Sequence, residues 1–172
     1  MLFLAKSDNA LIVPHREEVD LAVEVASVLE FYEALAEEKG LILSSTGRGV
    51  VRGDRSMLRR AVSNLLSNAM RHVPQGGRVS VHVDNADLSS VVLSVMNTGE
   101  TIAPEHLPRL FDRFFRVDAS RCRYADGVGL GLAITHSIAR AHGGDVNVVS
   151  HNGVTTFEIR LPAWAAAHLS EM

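Results

Sequence analysis

The sequence predicts an α/β fold, a two-layer α/β sandwich in which a mixed, mainly antiparallel sheet is packed on one side by helices. Three observations carry this prediction. Stretches of helical period and stretches of strand period follow one another in mixed order. The strands fall in adjacent pairs separated by short polar turns, as hairpins require. Few segments have the length and order of a βαβ crossover, which argues against a doubly wound parallel sheet.

Residues 1–15 open with Met1-Leu-Phe-Leu-Ala, pass through a polar turn and reach Val13-Pro14, a pattern assigned to a linker ahead of a domain at 16–163. From Val19 to Lys39 the apolar positions Leu21, Val25, Val28, Leu29, Tyr32 and Leu35 repeat at helical spacing, and Gly40 supplies the stop. Leu41–Ser45 and Val50–Arg52 are short strand candidates around Gly47 and Gly49. Gly53-Asp54 offers an N-cap for a second helix, which Pro74 and Gly76-Gly77 end. Arg78–Asp84 and Ser90–Met96 show β-branched alternation about a polar turn at Asn85-Ala86-Asp87, predicting an antiparallel pair. Leu130–Ala141 is helical and stopped by Gly143-Gly144. Strands follow at Asp145–Ser150 and Val154–Leu161, and residues 164–172 form a C-terminal tail.

With 172 residues, 47% apolar and 22% charged, the chain sustains one well-buried domain, and with 5% aromatic content its core must be aliphatic. A net charge of −3 gives no reason to expect a nucleic-acid surface. The basic residues are scattered apart from Arg109, Arg113, Arg116, Arg121 and Arg123, a series suited to phosphates or an acidic partner. The single Cys122 excludes an internal disulfide and fits a reducing compartment. No run approaches the roughly 20 apolar residues of a membrane-spanning helix.

The chemistry begins on the second helix, at Asn64-Leu-Leu-Ser-Asn68-Ala-Met-Arg71-His72. At ~100° per residue, Asn64, Asn68 and Arg71 fall within about 60° of one another, beside an apolar stripe of Leu58, Ala61, Val62, Leu65 and Ala69. An Asn carbonyl oxygen is a hard, neutral ligand suited to Mg²⁺, which takes one or two protein oxygens while phosphates and water complete its shell. Taken alone, an N-x-x-x-N pair more commonly marks residues that cap or face solvent. Further along, Gly127-Val-Gly129-Leu130-Gly131 opens a helix, where backbone amides and the helix dipole favour phosphate. That run is also compatible with a tight loop. It lacks the preceding strand and later acidic residue of a dinucleotide fold, and no P-loop motif is present. Between them, Asn97-Thr-Gly99 lies at a strand end. Leu107-Pro-Arg-Leu-Phe111-Asp-Arg-Phe114-Phe115 precedes a polar 118–127 segment and reads as the anchor of a mobile lid, though each aromatic also fits a plain core role.

In this order, the Asn helix, the N-x-G strand end, the Phe-rich segment and G-x-G-x-G resemble the catalytic ATP-binding domain of sensor histidine kinases, in the GHKL superfamily. The resemblance covers about residues 16–163. The stretch from Asn97 through Ile102 to Arg121 resembles the heavy-metal sensor kinases, including those responding to copper and silver. It implies the Bergerat fold and a site for ATP and Mg²⁺ between the Asn helix and the lid. Asn68 then matches the metal ligand. Asn64 shapes the pocket, Arg71 approaches phosphate, and His72 stands where Tyr is frequent. Asn97, Gly99 and Ile102 belong to the first glycine box, Phe111 and Phe114 to the lid, and Gly127, Gly129, Leu130 and Gly131 to the second box. The first box usually begins with Asp, which accepts a hydrogen bond from the adenine amino group. Asn97 still accepts through its amide oxygen, without the strength that charge lends.

In the superfamily's hydrolases a Glu four residues before the metal-binding Asn activates water, and here that position is Asn64. Hydrolysis is therefore expected to be slow, and no residue of the chain is expected to be catalytic beyond positioning the nucleotide. The phosphoacceptor motif of the family is absent, His15 sitting in Val-Pro-His-Arg-Glu-Glu. The expectation is a fragment, with Met1–Asp8 resembling the end of a dimerisation and phosphotransfer helix. The implied partners are that phosphoacceptor domain and a cognate response regulator, with no nucleic acid. The implied setting is the cytoplasmic side of a homodimeric kinase in the bacterial inner membrane, the fragment itself being monomeric. His82, His106, His136, His142, His151 and His168 show no metal-site spacing and read as surface histidines. Three other functions are weighed against transfer: a nucleotide-gated interaction module, a GHKL ATP hydrolase and an anti-sigma-type protein kinase.

Overall fold

A computed structural model of the chain describes residues 14–117 and 129–164. The described chain enters through strand β1 (Glu17–Asp20), antiparallel to β3 (Val50–Gly53), with Glu17 opposite Gly53 and Asp20 opposite Val50. Helix α1 (Leu21–Glu38) begins where Asp20 Oδ1 accepts the Ala22 N–H at 2.9 Å. The periodicity placed its start at Val19, but that residue belongs to β1, so the helix starts two positions later. Leu21, Val25, Val28 and Leu29 are buried, as their spacing requires. Glu24 shares the buried side at 0% exposure and is bridged by Arg55 Nη1 and Arg59 Nη2, each at 2.7 Å.

Helix α2 (Arg55–His72) is capped by Asp54, whose Oδ1 accepts the Met57 N–H at 3.1 Å. Its stripe of Leu58, Ala61, Val62, Leu65, Leu66 and Ala69 is buried, and the helix stops at Val73 ahead of Pro74. Strands β4 (Arg78–Asp87) and β5 (Ser90–Thr98) form the expected hairpin, but the turn is not at residues 85–87. The strand continues through a bulge to Asp87, whose Oδ1 accepts the Ser89 N–H at 2.7 Å and the Ser89 hydroxyl at 2.6 Å, and whose Oδ2 accepts the Ser90 hydroxyl at 3.0 Å. These bonds, led by the Ser89 hydroxyl, hold the Asp87 carboxyl down to about 2. A side chain that mimics a backbone turn thus moves the reversal two residues on.

After an irregular stretch with one 3₁₀ turn at Leu107–Arg109 come α3 (Gly131–Ala141), β6 (Asp145–His151) and β7 (Val154–Pro162). With β2 (Ile42–Gly47) at one edge, the main sheet has the order β2-β4-β5-β7-β6, parallel only between β2 and β4. It is the expected mixed, mainly antiparallel sheet. Its inward positions form rows across the strands: Val83, Leu93, Ile159 and Val146, then Val81, Val95, Phe157 and Val148. Most of these side chains are buried beneath the helices, which supply Leu58, Leu65, Ala133 and Ile138 to the same core. Burying each such aliphatic side chain stabilises the fold by about 1.5–3 kcal/mol. No helix among the described residues is long and apolar enough to cross a membrane.

Candidate functional site

Two separated turns converge on the C-terminal half of α2. At Asn64 the side-chain Nδ2 donates to the Gly131 carbonyl at 3.1 Å, and Thr135 Oγ1 donates to the same oxygen at 2.9 Å. At His72 the backbone carbonyl lies so close to Gly99 that a Cβ added there would stand 2.8 Å from it, so this position admits no side chain. Asn64 and His72 are about 12 Å apart along the helix axis, and Asn68 lies one turn from each. Asn64 and Asn68 are half-buried, whereas Arg71 and His72 are exposed.

The inward face of the sheet changes character beside this half-helix. The row after the two apolar ones is Val79, Asn97, Thr155 and Ser150. Asn97 is 4% exposed, and its Nδ2 donates to the Thr98 carbonyl at 3.2 Å. That bond orients the amide and leaves Oδ1 as the atom able to accept. Ser150 Oγ accepts the Ile102 N–H at 2.9 Å and lies 2.8 Å from Thr155 Oγ1. The Gly99 N–H donates to the Gly153 carbonyl at 2.9 Å, and the Gly153 N–H to Thr101 Oγ1 at 2.8 Å. The turn carrying Gly99 and Ile102 is therefore clipped to the β6–β7 turn. Sequence reasoning missed Ser150 and Thr155. Their signal was phase: Thr155 falls in step with Phe157, Ile159 and Leu161, where alternation calls for an apolar residue.

The aromatic segment divides. Phe111 sits edge-on to Phe157 with ring centroids 6.1 Å apart, and Phe115 lies under the Arg109 guanidinium at 4.5 Å. Both are half-buried against the core. Phe114 is 56% exposed and adopts φ +62°, a backbone state that is uncommon for a side chain of this size. Its N–H donates to the Gly129 carbonyl at 3.0 Å. Gly129, at φ +70°, packs so that a Cβ would stand 3.2 Å from the Phe114 backbone. Leu130 is half-buried against the core and immediately precedes α3. Gly127, Cys122, Arg121, Arg123, His168 and the 118–127 segment lie outside the described residues.

Among the described residues no group of three or more His, Cys, Asp or Glu side chains is arranged to hold a metal ion. One histidine departs from the surface reading. His142 is 3% exposed, because it folds back from the end of α3 onto the start of α2.

The family described as histidine kinase-, DNA gyrase B-, and HSP90-like ATPase matches residues 53–165. Sensor histidine kinase CusS of Escherichia coli strain K12 is 52% identical over 164 residues, covering 95% of this chain and 34% of its own. The chain thus spans about a third of the length of the curated relatives it matches. Among solved structures, the mycobacterial sensor histidine kinase MprB superposes with a TM-score of 0.77 at 34% identity, covering 86% of this chain and 99% of that one. Full-length ShkA in complex with AMPPNP superposes with a TM-score of 0.81 at 28% identity, covering 95% of this chain and 34% of that one.

Proposed function

The chain belongs to the histidine kinase-, DNA gyrase B- and HSP90-like ATPase family, and from that premise we propose that it holds Mg·ATP against the Asn64–His72 half of α2 and delivers the γ-phosphoryl group to a histidine on a separate domain. A cognate response regulator then receives the group. The observation that carries this reading is the convergence of both glycine turns on one half-helix, through Asn64 with Gly131 and His72 with Gly99. The AMPPNP bound by the related ShkA supports the nucleotide assignment.

Asn68 supplies an amide oxygen for Mg²⁺. A single neutral donor, with no acidic or imidazole cage among the described residues, fits an ion that takes most of its ligands from phosphate and water. When bound, Mg²⁺ neutralises charge on the phosphates. Arg71 adds a cation at the exposed end of the helix, near His72, and Gly129 and Gly131 at the α3 N-terminus offer backbone amides. Asn97 Oδ1 accepts from the adenine amino group, while Ile102, Leu130 and Phe111 provide apolar walls. The Thr98 carbonyl bond holds the amide in that accepting orientation, which disfavours the keto group of guanine.

Asn64 separates transfer from hydrolysis. Its amide donates to Gly131 and cannot take a proton from water, so general-base assistance of about 10²–10⁴ in rate is absent there. Phosphoryl transfer asks chiefly for positioning: the acceptor imidazole nitrogen bonds to the γ-phosphorus as the bond to the β,γ-bridging oxygen breaks and ADP leaves. The parent protein is a homodimeric sensor kinase of the bacterial inner membrane, in the copper- and silver-responsive group, with this domain on the cytoplasmic side and monomeric by itself. Transfer of γ-label from ATP to a cognate phosphoacceptor domain tests the proposal, with label expected on histidine. ATP binding without transfer identifies an interaction module, and rapid phosphate release identifies a hydrolase.

A further inference from the structure

The helix that carries the second glycine box is fastened to the Asn helix at both ends. At its N-terminus the Gly131 carbonyl accepts from Asn64 Nδ2 at 3.1 Å. At its C-terminus His142 Nε2 accepts the Asp54 N–H at 2.9 Å, while His142 Nδ1 lies 2.7 Å from the Ile138 carbonyl. Asp54 and Asn64 are ten residues apart, as the eleven residues of α3 require if two antiparallel helices of rise about 1.5 Å per residue are to meet at matching points.

The two partners of His142 dictate its form. A backbone N–H only donates and a carbonyl only accepts, so Nδ1 carries the proton and Nε2 must be bare. The ring has little room to turn. It is 3% exposed, and a Cβ at Gly53 would stand 2.7 Å from its Cδ2. Gly53 has no positive φ, so the ring together with Leu58, whose Cδ1 would stand 2.8 Å away, and not the backbone, explains the missing side chain. Burial holds the imidazole below its ordinary value, and Arg16 acts in the same direction, against the Ile138 carbonyl and the Asp54 carboxylate, which favour the cation. Among the described residues, Arg16 and Asp54 are the charged groups that act on it.

We propose that neutral His142 is a positioning residue that sets α3 against α2, so that its protonation shifts Gly131 relative to Asn64 and weakens nucleotide binding. Protonation places an Nε2–H against the Asp54 N–H, two donors with no acceptor between them. That end of α3 must then move, and the Asn64–Gly131 contact lies at the other end of the same rigid helix. The inference rests on the nucleotide reading above.

Two experiments separate the two claims. The amide NMR spectrum of the nucleotide-free protein is followed downward from about pH 7.5 until the His142 ring has titrated. The Asn64 side-chain amide is expected to titrate together with the His142 ring, and an Asn64 signal that ignores the ring overturns the proposal whether or not ATP binds. Calorimetry then compares ATP binding by the wild type, His142→Leu and His142→Gln. Wild-type affinity is expected to drop roughly three- to tenfold over that range relative to His142→Gln, whose amide oxygen restores an acceptor that does not titrate. His142→Leu is expected to bind weakly at both ends of the range. A purely structural His142 lowers the unfolding midpoint in acid yet leaves the wild-type and Gln affinity profiles parallel, which contradicts the proposal. Absence of ATP binding by the wild type at every pH defeats the nucleotide reading alone, since the NMR titration still decides whether His142 sets the contact.

Discussion

The two halves of α2 share one helix and one buried stripe yet use their polar residues differently. In the N-terminal half Asp54, Arg55, Ser56 and Arg59 all meet protein. Asp54 accepts from Met57 and the Ser56 hydroxyl and donates its N–H to His142, while Arg55 and Arg59 clamp Glu24. In the C-terminal half, Asn64 reaches Gly131 but Asn68, half-buried, makes no side-chain hydrogen bond to another described residue. Charged groups bound internally serve the fold. On the proposed reading, the neutral amides of the other half are kept for a ligand.

The sharpest way to break this contrast is Asn68→Ala. Mg²⁺-dependent ATP affinity is expected to fall at least roughly 100-fold while the circular dichroism spectrum and unfolding midpoint stay unchanged, because the removed amide holds no other described residue. Retained tight Mg·ATP binding would sink the ligand assignment. The opposite pattern is expected at the other half. Glu24→Gln should lower stability by about 2 kcal/mol, or about 4–8 °C in thermal unfolding, with ATP affinity unaltered. The loss stays below that of a fully buried pair because the arginine side chains are 43% and 49% exposed and can hydrate once released.

The pH dependence of stability sharpens the comparison next. The folded state holds His142 neutral, so its pKa is lower folded than unfolded. Its stabilising contribution is then complete above the unfolded value of about 6.5 and is lost as pH falls through the folded value, with a slope of at most about 1.4 kcal/mol per pH unit. Denaturant unfolding at a series of pH values should show this slope in the wild type and not in His142→Gln. The smallest effect is expected at the base. Asn97→Ala should weaken ATP roughly fivefold and leave GTP unchanged, as loss of one neutral hydrogen bond implies. Equal competition by ATP and GTP before and after the change removes Asn97 from the role of base reader.

Much of this was legible in the sequence because it is local. The Asp54 cap, the α2 stripe, the two hairpins and the glycine runs each declare themselves within a few residues. What escaped depends on partners far along the chain. Strand β1 is four residues, Glu-Glu-Val-Asp, and gains its conformation only by pairing with β3. Glu24 is acidic on a buried helix side, tolerable only because two arginines arrive from α2. His142 looked like a surface histidine since its acceptor role is set by an amide 88 residues away. The β4–β5 turn moved for the opposite reason: Asp87 bonds so well to its own neighbours that the polar run before it stays in the strand. Ser150 and Thr155 were visible as breaks in an apolar alternation, but only the strand register places them in one row with Asn97.

The central claim, that the amide-bearing half of α2 is where nucleotide sits, is tested most directly by calorimetric titration of ATP into the protein, first with Mg²⁺ and then with EDTA. Saturable binding that Mg²⁺ strengthens and EDTA weakens is the predicted result. No binding, or binding indifferent to EDTA, contradicts it.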